Sequence, residues 1–244
     1  MDYGEYKKFA KEKLGFEFND IKLLVTALTH RSFVNEHREN EHNERLEFLG
    51  DAVLELVSSD FLYRTYDEPE GIMTAVRAAL VRTESIGDAG KNLGYAPLVR
   101  LSKGEQQGIE RAHDVILADC FEAVIGAIYL DQGYDAAKTF IEKHILSRID
   151  TVINEGLWRD PKSYAQELAQ KFDGQTPVYH TIREEGPDHD KMFTVGIYIG
   201  EDCISTGVGH SKQDAQTEAA KGAIKDYKKR FPGQIKEGLK LHKI

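Results

Sequence analysis

The run from Val115 to Leu130 (VILADCFEAVIGAIYL) carries apolar side chains on nearly every side of a helix. Such a helix is stable only when other elements surround it, so the chain must fold around this segment. Two carboxylates interrupt it: Asp119 and Glu122 lie about one turn apart and share a face. An acid withdrawn from water without a partner is costly. Either each finds an arginine or a hydrogen-bond donor in the core, or both face a divalent cation.

A second helical segment, Asn43-Glu44-Arg45-Leu46-Glu47-Phe48-Leu49-Gly50-Asp51-Ala52-Val53-Leu54-Glu55-Leu56, carries a matching set of acids. At about 100° per residue, Leu46, Leu49, Val53, Leu56 and Val57 form one face. Glu44, Glu47, Asp51 and Glu55 form roughly the opposite one. Solvated acids on an amphipathic helix are the plain reading, and two features oppose it. Like charges at i,i+3 and i,i+4 repel, and no Lys or Arg on that face relieves them. Phe48 lies beside the carboxylates, as expected of a surface that something covers, another subunit being one candidate. Oxygen donors from Glu47, Asp51, Asp119 and Glu122, with no Cys or His, would suit Mg²⁺ or Mn²⁺. Pairs of such ions serve phosphodiester hydrolysis. Spacing alone leaves both readings open.

The front of the chain reads as helices, with Ile21–Leu28, Arg45–Tyr63, Met73–Ala89 and Val115–Asp131 at helical spacing. Punctuation falls at Phe18-Asn19-Asp20, at Asp67–Gly71 and over Gly90–Gly108. Gly156 and Asp160-Pro161 break the pattern and set a boundary. Beyond it come a helix over Lys162–Phe172, strands at Val178–Arg183, Phe193–Ile199 and Cys203–Gly207, and a helix over Ser211–Arg230. That last helix places Ala215, Ala219, Ala223 and Tyr227 on one face. The expected fold is an all-α domain over 1–155, a linker over 156–160, a small α+β domain of α-β-β-β-α order over 161–230, and a mobile tail over 231–244.

Charge is divided unevenly. Residues 1–155 hold 18 Lys and Arg against 28 Asp and Glu; residues 156–244 hold 14 against 13. An acidic front half opposes phosphate contacts unless some of its carboxylates bind cations. The two cysteines, Cys120 and Cys203, lack the spacing of a zinc site or a disulfide framework. No apolar run approaches the ~18 residues a membrane span needs, and Met1–Lys13 lacks the apolar core of a signal peptide. A cytoplasmic protein with no membrane contact is expected.

The segment Asn43–Asp51 resembles the signature of the ribonuclease III family. Leu28-Thr29-His30-Arg31-Ser32 is similar to that family's upstream helix-end motif, and Asp119-Cys120-Phe121-Glu122-Ala123 to its second acidic motif. The resemblance extends from about residue 5 to residue 230 and favours the metal site. It implies a homodimeric, double-strand-specific endoribonuclease. Glu47, Asp119 and Glu122 would bind Mg²⁺, with Mn²⁺ as a substitute, and Asp51 and Glu122 would be catalytic. Glu44 and Glu70 correspond to accessory acids, and Phe48 to a side chain that inserts into the partner subunit. Products would carry a 5′-phosphate and a short 3′ overhang, and precursor RNAs, ribosomal RNA among them, would be the substrates. No nucleotide cofactor is implied. His30 is tempting as a general base, but a histidine that caps or packs a helix end is the better reading, since a metal can generate the nucleophile without it.

The second domain resembles a double-stranded RNA-binding domain. The resemblance puts Ser163, Gln166 and Gln170 of its first helix at one minor groove and His189 of the first interstrand loop at another. Ser211 and Lys212 would face the phosphates between them. One departure stands out: Lys212 is followed by Gln213, Asp214, Ala215 and Gln216 where the family has a lysine cluster. Fewer cations imply a shallower salt dependence and weak binding by this domain alone. The alternatives are a non-catalytic duplex-RNA binder or ribosome-associated relative, a metal-dependent hydrolase of small nucleotides, and a second domain turned to protein contacts. The retained acids oppose the first and the RNA-binding pattern opposes the second.

Overall fold

The structure is a computed structural model that describes residues 3–105, 112–187 and 190–235. The chain forms two compact units divided between Asn154 and Glu155.

The first unit is helical. Helix α1 (Gly4–Phe9) runs into a wider turn over Ala10–Leu14 that Gly15 ends at φ 83°. Then follow α2 (Ile21–Ala27), α3 (Arg31–Glu36), α4 (Glu44–Thr65), α5 (Glu70–Val81), α6 (Thr83–Leu93), α7 (Ala112–Gln132), α8 (Tyr134–His144) and α9 (Ile149–Asn154). As its composition requires, α7 is central, packed against α2, α4, α6 and α8. Phe121, Ala123, Val124, Ile125, Ala127 and Ile128 are fully buried. Near its end, Asp131 accepts hydrogen bonds from the backbone N–H groups of Asn19 and Asp20, which anchors the start of α2. No described helix is long and apolar enough to cross a membrane.

Helices α4 and α7 touch backbone to backbone. A Cβ on Gly50 would lie 1.8 Å from the carbonyl oxygen of Glu122, and one on Gly126 would lie 2.3 Å from that of Leu46. Only glycine permits this approach, and Gly50 sits beside Asp51 while its contact is the backbone of Glu122. The crossing therefore brings the two acidic segments together.

Three local expectations change. Leu56 is exposed, and the core face of α4 is made by Leu46, Gly50, Val53, Leu54 and Val57. The apolar residues of α4 form two stripes: one enters the core, and Phe48, Leu56 and Tyr63 stand outside it. The run Met73–Ala89 is two helices, because Arg82 is extended at φ −66° and ψ 151°. Gly90 punctuates nothing. It lies inside α6, where the Tyr95 ring packs so closely that a Cβ would meet its hydroxyl at 2.4 Å.

In the second unit α10 (Pro161–Phe172), β1 (Val178–Glu185), β2 (Met192–Ile199), β3 (Asp202–Gly209) and α11 (Lys212–Arg230) follow the α-β-β-β-α order. The sheet is antiparallel in the order β1-β2-β3. Both helices contribute to its core, which forms two clusters: Tyr164 and Leu168 of α10 pack with Tyr227 of α11 and Ile199 of β2, and Ala165 of α10 packs with Ala219 and Ala223 of α11 and Ile197 of β2. The alanine stripe lets α11 lie close on the sheet. Of the tail, Phe231 stacks on Phe172 with ring centroids 4.0 Å apart, and Ile235 is buried. Residues 236–244 lie outside the described residues.

Candidate active site

The acids of α4 and α7 meet at the helix crossing. Glu122 is raised to about 8, first by burial and then by the charges of Asp51, Glu47, Asp119 and Glu55. Burial also raises Glu47, with Asp119, Glu44 and Asp51 adding to the shift. It raises Asp119 too, against the lowering charges of His30 and Arg31. Glu47, Asp51, Asp119 and Glu122 therefore feel one another through a half-buried space. Among the described residues, none of the four has a Lys, Arg or His within ion-pair distance, and none has a side-chain hydrogen bond. The core partners that would explain a structural pair on α7 are not among them.

The donor set is all carboxylate, partly desolvated and short of positive charge, which fits a hard divalent cation. Among the described residues no three His, Cys, Asp or Glu side chains surround a common point. Mutual repulsion favours such spread rotamers, and a cation would draw the carboxylates together. Cys120, between Asp119 and Glu122 in sequence, is buried and free and accepts from Asn43 Nδ2 at 3.6 Å.

The accessory acids separate. An open groove beside the crossing is lined by Glu44, Glu47, Asp119, Glu105, His30 and Arg31, with a volume of about 890 Å³. Glu70 instead heads α5, accepts from Thr74 Oγ1 at 2.9 Å and lines a different cleft with Leu62, Tyr63, Met73 and Arg77. Two ion pairs come from outside the acidic face. Arg31 reaches Glu44 at 3.4 Å, and Arg77 of α5 reaches Glu55 at 2.9 Å. Reading α4 by itself misses both. His30 caps α3: its Nδ1 accepts from the Ser32 N–H at 3.3 Å, and burial lowers its pKa against the raising charge of Glu105.

Phe48 is 81% exposed, and Leu56 and Tyr63 are exposed about 12 and 22 Å further along α4. In the second unit, Ser163, Gln166 and Gln170 share an exposed face of α10. Ser211 is the N-cap of α11 and accepts from the Asp214 N–H at 3.0 Å. Lys212 is exposed, yet its ammonium is 2.8 Å from Glu184. His189 lies outside the described residues.

The ribonuclease-III-like family model matches residues 20–149, and the double-stranded RNA binding motif matches residues 161–227. The chain belongs to the ribonuclease III family. It is 44% identical to the ribonuclease 3 of Protochlamydia amoebophila over 214 residues, which is 87% of this chain and 88% of that protein. It is also 44% identical to the ribonuclease 3 of Oceanobacillus iheyensis over 218 residues, 88% of this chain and 95% of that one. Among solved structures, the nuclease domain of ribonuclease III from Campylobacter jejuni, which has a flexible region involved in dimer formation, is 37% identical. It matches with a TM-score of 0.50 over 57% of this chain and 98% of its own. As a ribonuclease III with both family domains, the chain is an endoribonuclease of double-stranded RNA.

Proposed function

We propose that the α4–α7 crossing is where this ribonuclease III cuts each strand. The observation that carries the reading is the group of four mutually repelling carboxylates, unpaired among the described residues, with Glu122 raised to about 8. Glu47, Asp119 and Glu122 would hold Mg²⁺, with Mn²⁺ able to replace it. A bound ion of this kind supplies an activated water and stabilises the departing 3′-oxygen. Asp51, which is exposed, would orient water, and Glu122 would tie the metal to the core helix. Hydrolysis in this sense leaves a 5′-phosphate, and two such sites offset across a duplex leave short 3′ overhangs. Precursor RNAs in the cytoplasm, ribosomal RNA included, are the proposed substrates. In the second unit Ser163, Gln166, Gln170, Ser211, Lys212 and His189 are the proposed RNA contacts.

Two copies would supply the two sites. Exposed Phe48, with Leu56 and Tyr63 also exposed along α4, would be covered in a dimer. The cleft of about 290 Å³ between α4 and α5, lined by Leu62, Tyr63 and Met73, offers an apolar seat for the Phe48 of a second copy. Glu70, on the rim of that cleft, would then reach the active site of the other chain rather than its own. Phe48→Asp places a charge in that seat, so the variant should sediment as a monomer and lose cleavage; an active dimer would remove Phe48 from the interface.

The direct assay incubates the protein with labelled duplex RNA, single-stranded RNA and nucleotides, with and without Mg²⁺. Mg²⁺-dependent cleavage of the duplex alone supports the reading. Binding without cleavage, or hydrolysis of nucleotides, would replace it.

A further inference from the structure

The helix-end motif His30-Arg31-Ser32 is not used by the chemistry above, yet the fold fixes it with care. His30 N–H donates to the Arg100 carbonyl at 3.1 Å, and Arg100 N–H donates to the Leu28 carbonyl at 2.8 Å. Ser32 Oγ accepts from the Ser102 N–H at 3.1 Å. The Arg100 guanidinium lies 4.1 Å over the Phe33 ring, and the Thr29 carbonyl accepts from the Asn43 N–H at 2.9 Å. The start of α3 is thus tied both to the 100–102 segment and to the residue that begins α4.

What this platform presents is a cation. Among the described residues lining the acidic groove, Arg31 is the one Lys or Arg, placed with Glu44, Glu47 and Asp119. Its side chain is 71% exposed, and its ion pair with Glu44 is long, at 3.4 Å between two largely solvated groups. A pair of that kind contributes little to folding, so stability does not explain the anchoring. An arginine donates through a planar fork that matches a phosphate. A groove whose other charges, among the described residues, are acidic gains from such a donor a hold on an RNA strand that those acids repel.

We propose that Arg31 is an RNA-binding residue of the nuclease domain, which leaves Glu44 to grip the phosphodiester backbone of the strand lying in the groove. The inference rests on the active-site reading above. Contact with backbone rather than base makes its contribution independent of sequence. It also adds a contact that does not depend on the lysine-poor second domain.

The test measures duplex-RNA binding across salt concentration in Mg²⁺, using Glu122→Gln as the parent so that RNA stays intact. Adding Arg31→Gln should weaken binding about five- to tenfold near physiological salt. It should also reduce the slope of log affinity against log salt by about 0.9, the signature of one lost phosphate contact. Arg31→Lys keeps the charge and should keep the slope. Unchanged affinity and slope in Arg31→Gln would overturn the proposal. So would weaker binding at unchanged slope with a lowered melting temperature, since Arg31 would then act through the fold. Should the Glu122→Gln parent still cut RNA, the active-site reading fails on its own, and the slope comparison, made in a chelator, still decides whether Arg31 meets phosphate.

Discussion

The α4–α7 crossing and the RNA-binding unit treat charge in opposite ways. At the α4–α7 crossing Glu47, Asp51, Asp119 and Glu122 lie within electrostatic reach of one another with no cation among the described residues within ion-pair distance of them, and the proton affinities of Glu47, Asp119 and Glu122 rise. In the RNA-binding unit the charges are matched: Lys212 and Lys191 meet Glu184, Arg183 meets Glu185, and Arg230 meets Asp173 and Asp226. Packing explains the second pattern, because neighbouring opposite charges on a sheet and helix surface relax together at little cost. It does not explain the first, where the fold spends two glycine contacts to hold like charges close. The unrelieved charge is what the proposed metal site rests on, whereas the paired charges of the second unit are ordinary surface pairs.

The largest expected effect falls on the unrelieved side. Glu122→Gln keeps the shape of the side chain and removes the charge that would hold the metal. Cleavage should fall at least about a thousandfold in kcat, with duplex binding retained, as read by single-turnover cleavage and filter binding. Wild-type-like cleavage at physiological Mg²⁺ would end the contrast between the units.

A smaller effect concerns pH. In the metal-free folded protein Glu122 ionises near pH 8, while in the unfolded chain it ionises at its ordinary 4.5. The folded state therefore holds the extra proton between these values. The stability Glu122 contributes is fully present below about pH 4.5 and is lost as pH rises through about 8. Thermal melts in a chelator should show the melting temperature falling across that window, and the fall should be shallower in Glu122→Gln. Parallel profiles would mean that Glu122 is not held in a repulsive site.

The smallest effect tests the relieved side. Glu184→Gln frees Lys212 from its ion pair and should tighten duplex-RNA binding about two- to threefold, with a slightly steeper salt dependence. Unchanged binding would show that Lys212 does not face phosphate.

How much of this was legible depends on where the information lies. The acids of α4 and α7 were legible because signature and helical spacing are local in sequence, as were the alanine stripe of α11 and the three strands. The outward position of Leu56 was not, because periodicity counts apolar residues without saying which stripe meets the core. The break at Arg82 was not, because no Gly or Pro marks it. The pairing of Glu44 with Arg31 and of Glu55 with Arg77 joins separate elements, so a single helix read in isolation shows repulsion alone. Gly50 and Gly126 look unremarkable in the sequence until the two helices are crossed.

The central claim is that the crossing is a cation site, and a thermal melt across Mg²⁺ concentration tests it most directly. Mg²⁺ should bind the assembled cluster far better than the scattered acids of the unfolded chain, and so raise the melting temperature by mass action. At about a hundredfold over the dissociation constant, the gain should be roughly 5–10 °C for a domain of this size. In Asp119→Asn the gain should shrink by half or more, and NaCl at matched ionic strength should reproduce neither result. If wild type and Asp119→Asn shift identically with Mg²⁺, or if NaCl gives the same shift, Asp119 is not a ligand and the crossing is not the metal site.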